Sequence, residues 1–188
     1  MSVLESDKLM TVVSLFNRLF NNSYRTYLIG GAQEPLYQPA ISTNQLHKLS
    51  FRANYLSSAL HEVAHWCIAG PQRLLKEDFG YWYSPDGRST TEQRLFEKVE
   101  VKPQALEWMF SIACDHDFSI SLDNLNSTDH EDNRAYQLFA RAIVDQCLHW
   151  CENSQLPTRA DCFIKGLTKA FAVNNPYETY HYKTFVKY

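Results

Sequence analysis

Ala59-Leu60-His61-Glu62-Val63-Ala64-His65-Trp66-Cys67-Ile68-Ala69-Gly70-Pro71 decides how this chain is read. Its apolar residues recur as in a helix that runs through a core, over about 54–69. Gly70 and Pro71 predict the stop, the glycine in a left-handed cap and the proline preventing continuation. His61 and His65 lie four apart, so both imidazoles leave one helix face, one turn above the other. Two nitrogens so placed can grip one divalent ion, and Glu62 beside them is positioned to activate water. Two histidines and a glutamate turned toward a core are costly unless something satisfies them. A bound metal ion does so.

Working outward, the N-terminal side predicts a helix over about 7–20, from the spacing of Leu9, Val12, Val13, Phe16, Leu19 and Phe20. Tyr24–Ile29 alternates and is rich in β-formers, predicting a strand that stops before Gly30-Gly31. Residues 34–39 read as extended, because Pro35 and Pro39 disfavour helix in the residues before them. A short strand follows near 46–51. On the C-terminal side, Phe79–Tyr83 is a strand candidate and Pro85-Asp86-Gly87 a turn. Helices are expected over about 90–112, with Pro103 kinking the chain, and over about 130–152 and 158–172. The expected fold is α+β: one helix-rich domain over 1–188 with a small sheet. Its 188 residues, 45% of them hydrophobic, suffice to fill one core.

A net charge of -3 offers no general attraction to nucleic acid or anionic membrane. The opening residues lack the basic start and apolar run of a secretory signal, and no stretch nears the roughly 18 apolar residues of a spanning helix. A cytoplasmic protein is therefore expected, without nucleic acid or membrane as a direct partner. Five cysteines, an odd number without CxxC spacing, argue against a disulfide framework. Cys147, His149 and Cys151 cluster in sequence, but on a helix His149 turns about 100° per residue away from the cysteines. They are read as packing groups, as are Trp66, Trp108 and Trp150.

A third ligand is needed. Glu97, Glu100 and Glu107 lie on the next helix, with His116 and Asp117 beyond. Glu100 is preferred, because it sits within the buried-type run of Phe96, Val99, Val101, Leu106 and Phe110. Gln104, one turn on, is placed to orient it from behind. Glu97, on a neighbouring face, is the second choice. Two histidines and one carboxylate with open positions suit zinc hydrolysis and the facial triad of non-heme iron oxygenases alike. Between the two helices, Asp78, Tyr81, Trp82, Tyr83 and Asp86 combine acids with aromatic faces, a set suited to a cationic substrate.

Three blocks carry a more specific signal: Ser58–Gly70, Asp78–Arg88 and Phe96–Trp108. In this order and spacing they resemble the bacterial elongation factor P hydroxylase family. Glu34-Pro35-Leu36-Tyr37 and Asp123-Asn124-Leu125 extend the likeness, whereas the C-terminal third resembles the family mainly in length and helical character. The resemblance implies a monooxygenase-type hydroxylase acting on a lysine of translation elongation factor P that already carries a β-lysyl group. It further implies a metallopeptidase-type, zincin-like core turned to iron chemistry. Fe(II) would be held by His61, His65 and Glu100, zinc or another divalent ion being possible in its place, with molecular oxygen as cosubstrate. No 2-oxoglutarate signature is found: the H-x-D…H ligand order is missing, and no arginine can be assigned to an oxoacid. Glu62 would handle protons during oxygen activation or pair with a substrate ammonium. Asp78, Asp86 and Glu97 would pair with ammonium groups, and Tyr81, Trp82 and Tyr83 would pack along the methylenes of the arm. The rival readings are a zinc metallopeptidase with Glu62 as general base, and a non-catalytic, metal-stabilised binding module.

Overall fold

The helical period at Leu9, Val12, Phe16 and Phe20 builds α1 (Val3–Phe20), whose apolar stripe is buried along its length. The computed structural model of the protein describes residues 3–78, 89–122 and 130–183. Three strands follow: β1 (Thr26–Ala32), β2 (Leu36–Gln38) and β3 (His47–Arg52). Then come α2 (Leu56–Ile68), a short 3₁₀ turn (Arg73–Leu75), α3 (Thr90–Ala113), α4 (His130–Asn153), α5 (Thr158–Phe171) and a final turn of helix, α6 (Tyr180–Lys183). The architecture is α+β, with a small mixed sheet among the helices. No helix among the described residues is long and apolar enough to cross a membrane.

β3 is the central strand, parallel to β1 and antiparallel to β2, so that Leu28 and Tyr37 both face Leu49 across the ladders. β1 does not stop before Gly30-Gly31 as its residues suggest; it runs on to Ala32 through a register shift after Ile29. Both glycines serve this bulge. A Cβ at Gly30 would lie 2.7 Å from the Phe51 ring and from Asn54 Oδ1, and Gly31 has a φ of 87°. The stretch expected to be extended holds β2, and Tyr37 also exchanges two backbone hydrogen bonds with Asp78. The strand and turn expected over 79–87 lie outside the described residues.

α2 carries the histidine motif and packs against α1, β3, α3 and α5. Toward α1 and α5 it presents Trp66, whose ring meets Phe16 at 5.0 Å and Phe20 at 4.9 Å. Phe163 of α5 joins this cluster against Phe16 and Phe110. The end of α2 differs from expectation. Gly70 is not left-handed; Ala69 instead leaves the helix in an extended conformation, with ψ at 124°. The Arg159 guanidinium of α5 donates to the carbonyls of Cys67 and Ala69 and stacks 4.5 Å over Trp66. Orphan carbonyls are thus met by a neighbouring helix rather than by a glycine turn.

α3 starts at a capping box, in which the Ser89 side chain accepts from the Glu92 amide and Glu92 accepts from the Ser89 amide. It continues through Pro103. Val99, expected in the core, is half exposed, because the buried face is set by Phe96, Glu100, Gln104 and Glu107 instead. Trp66, Trp108 and Trp150 are buried, and Cys147 is buried while His149 faces solvent, so that cluster does not converge.

Candidate metal centre

The first turns of α2 are free to be apolar on one side and polar on the other, and the polar side meets α3. His61 and His65 lie one turn apart, their rings edge-on and their Nε2 atoms 3.0 Å from each other. Glu100 of α3 closes the group, Oε1 at 3.2 Å from His65 Nε2 and Oε2 at 3.6 Å from His61 Nε2. All three donor atoms lie within 4.8 Å of one another. Donors held about 2.1 Å from one ion at right angles stand about 3 Å apart, so the spacing suits a single divalent cation. Glu100 is nearly inaccessible, and its Oε2 is a buried acceptor without a hydrogen-bond partner among the described residues. Such an atom is expensive unless a cation satisfies it. The donor set fits a metal.

The electrostatics agree. Burial opposes a charge on His61, yet Glu107, Glu100 and Glu62 outweigh it and push the imidazole up to about 10. Burial works against a charged Glu100 as well, but His65 and His61, with the Gln104 amide, hold its carboxyl below the usual range. A cluster of carboxylates thus draws positive charge into this spot, the role a metal ion would take. Glu62 is different: burial dominates there and raises its carboxyl, against the pull of the two histidines.

These groups line a cavity of about 290 Å³ whose walls come from α2, α3, the segment after α3, and Pro35 and Arg52 at the edge of the sheet. His61, Glu62, His65, Glu100 and Glu107 form one side. Asp117, Ser119 and Ser121 form another, while the alternate residues Phe118, Ile120 and Leu122 pack on the core. That alternation makes the wall an extended strip with one polar face. Gln104 fastens it, accepting from the Ser121 amide and donating to its carbonyl at 3.1 and 2.7 Å. Glu62 and His65 also border a smaller cavity of about 30 Å³, beyond which lie Tyr37, Arg73 and Asp78.

Of the residues singled out from sequence, His61, Glu62, His65 and Glu100 come together on the large cavity, with Gln104 behind. Asp78 lies on the smaller cavity and is paired with Arg73 at 2.5 Å. Glu97 accepts from Gln93 at 3.2 Å and stands off the described cavity wall. Tyr81, Trp82, Tyr83 and Asp86 lie outside the described residues, as does the Asp123-Asn124-Leu125 segment. Glu107 is the group whose place the sequence did not single out: its Oε2 sits 2.7 Å from His61 Nδ1. Its position seven residues after Glu100, two turns along one helix face, was the available signal.

A sequence profile described as elongation factor P hydroxylase matches residues 15–182. This chain belongs to the elongation factor P hydroxylase family. It is 42% identical over 168 residues to the elongation factor P lysine hydroxylase of Haemophilus influenzae, covering 89% of this chain and 92% of that protein. All three motif blocks fall inside the matched region, as does the whole cluster of donors. Membership of the elongation factor P hydroxylase family makes the chain a hydroxylase enzyme.

Proposed function

We propose that this hydroxylase modifies elongation factor P in the cytoplasm, adding one oxygen atom to the lysine that already bears a β-lysyl group. The observation that carries the reading is the convergence of His61, His65 and Glu100 on one cavity within a chain of this family. In this proposal those three residues hold Fe(II), in a zincin-like arrangement in which α2 supplies two ligands and α3 the third. When bound, the metal supplies the redox chemistry that lets molecular oxygen attack an unactivated C–H bond. No organic cosubstrate is invoked. The second oxygen atom leaves as water, with two electrons and two protons from an external reductant. The whole chain is proposed to act as one domain, without nucleic acid or membrane as a direct partner.

The protein's own groups do the rest. The polar strip of Asp117, Ser119 and Ser121 offers a carboxylate and hydroxyls to an incoming ammonium arm. Asp78, Asp86 and Glu97 are proposed to take ammonium groups along the approach, with Tyr81, Trp82 and Tyr83 against the methylenes. Asp78 would have to exchange its partner Arg73 for substrate. Glu62, whose carboxyl is raised by burial and which borders both cavities, is proposed to hold and pass a proton at the cavity wall. The family match favours oxidation over the peptide cleavage that the histidine motif alone suggests.

The deciding experiment incubates the purified protein, reconstituted with Fe(II) or with Zn(II), with β-lysylated elongation factor P, oxygen and a reductant. Intact mass should rise by one oxygen atom on the substrate, only with iron and oxygen. Cleaved substrate with zinc, or no change with either metal, overturns the reading.

A further inference from the structure

His61 is contacted on both sides by carboxylates from one helix. Glu100 and Glu107 lie seven residues apart on α3, and the ring spans the gap, with Nε2 toward Glu100 and Nδ1 2.7 Å from Glu107 Oε2. An ionised carboxylate only accepts hydrogen bonds, so Nδ1 must carry the proton in this contact. In the neutral ring that leaves the lone pair on Nε2, the nitrogen that faces His65 and Glu100. Glu107 is itself buried, with 9% of its surface exposed, and lies on the wall of the cavity. His65 is held differently. Its Nε2 meets Glu100 and His61, and among the described residues no carboxylate stands at its Nδ1.

We infer that Glu107 is a positioning residue for the metal. It fixes the tautomer and the orientation of His61 and lends that imidazole anionic character, making it a stronger donor than His65. The inference rests on the metal reading above, and concerns a residue to which that reading gives no part. Carboxylates behind ligating histidines raise ligand basicity, and their loss typically lowers metal affinity 10- to 100-fold. The two histidines are therefore unequal. Glu107 does not complete the ligand set, because the donor atoms that converge within 4.8 Å come from His61, His65 and Glu100.

The test measures metal affinity by chelator competition with Fe(II) and Co(II), on the full chain and its variants, together with the Co(II) absorption spectrum. Glu107→Gln keeps an acceptor for Nδ1 but removes the charge; Glu107→Leu removes both. The expected result is one ion per chain in each, with affinity lowered about 10-fold in the first and toward 100-fold in the second. The Co(II) bands should shift while their intensity class is kept. Glu152→Gln, exposed on α4 away from the cavity, should leave affinity and spectrum unchanged, and melting of each metal-free variant checks that it is folded. An affinity of Glu107→Gln and of folded Glu107→Leu within about twofold of the parent overturns the inference. So does complete loss of stoichiometric binding, equal to that of Glu100→Ala, since Glu107 would then be a ligand. Should the parent chain bind neither ion, it is the metal reading that fails, and the inference with it.

Discussion

The face of α2 turned to α1 and α5 and the face turned to α3 are built in opposite ways. On the first, Trp66 packs into a cluster with Phe16, Phe20 and Phe163, and the guanidinium of Arg159 spreads over its ring. Dispersion and burial of apolar surface hold that face together, although the buried Trp66 Nε1 has no hydrogen-bond partner among the described residues. On the second face, two imidazoles and three carboxylates crowd round a cavity, one of those carboxylates, Glu100, having a buried oxygen without a hydrogen-bond partner among the described residues. Such a face costs folding free energy and is kept in place by its neighbour. One helix thus takes its stability from one side and its chemistry from the other.

The division can be broken most severely from the chemical side. Glu100→Ala should lower hydroxylation of elongation factor P by at least about 1,000-fold, the several kcal/mol that a bound metal supplies. Circular dichroism of the variant should match the parent's. A variant that instead fails to fold would mean that the polar face also holds the helix. From the apolar side, Phe163→Ala should cost about 3 kcal/mol of stability in denaturant titration. Metal affinity measured on the folded protein should stay within about threefold. A parallel fall in affinity would show the two faces to be coupled.

The same comparison shows what could be read in advance. The periodicity around His61 and His65 exposed α2, and the apolar spacing of its neighbours exposed α1, α3, α4 and α5, because a 3.6-residue period is a local property. The likeness of three blocks to a hydroxylase family carried the activity. The order of the strands was not legible, since pairing β1 beside β3 and in parallel joins residues some twenty positions apart. Nor was the end of α2. Gly70 looked like a left-handed cap, yet Arg159, ninety residues away, met the carbonyls instead. Val99 misled for a related reason: its residue type suits a core, but on α3 the buried face was claimed by carboxylates and Gln104. Glu107 went unassigned because a glutamate among several helical glutamates has no local mark of its partner. The wall of Asp117, Ser119 and Ser121 did carry a mark, the strict alternation with Phe118, Ile120 and Leu122.

The smallest expected effect tests the seam between the two faces. Arg159→Met keeps a long apolar stem over Trp66 but loses the guanidinium that meets the end of α2. About 1–2 kcal/mol of stability should go, with metal affinity changed by no more than a factor of two. A larger change in affinity would mean that the seating of His65, one turn before that end, depends on α5.

The capping box, Pro103 and the two carboxylates all belong to α3, and they share one backbone register. Glu100 and Glu107 meet opposite nitrogens of a single ring, so that ring acts as a gauge laid along two turns of helix. Sliding α3 by one residue against α2 would carry both carboxylates about 1.5 Å along and turn them by about 100°. Neither nitrogen would then be met. An insertion or deletion of one residue between 100 and 107 should therefore break up the donor cluster even where every side chain is retained, since its geometry is stored in the phase of one helix pair.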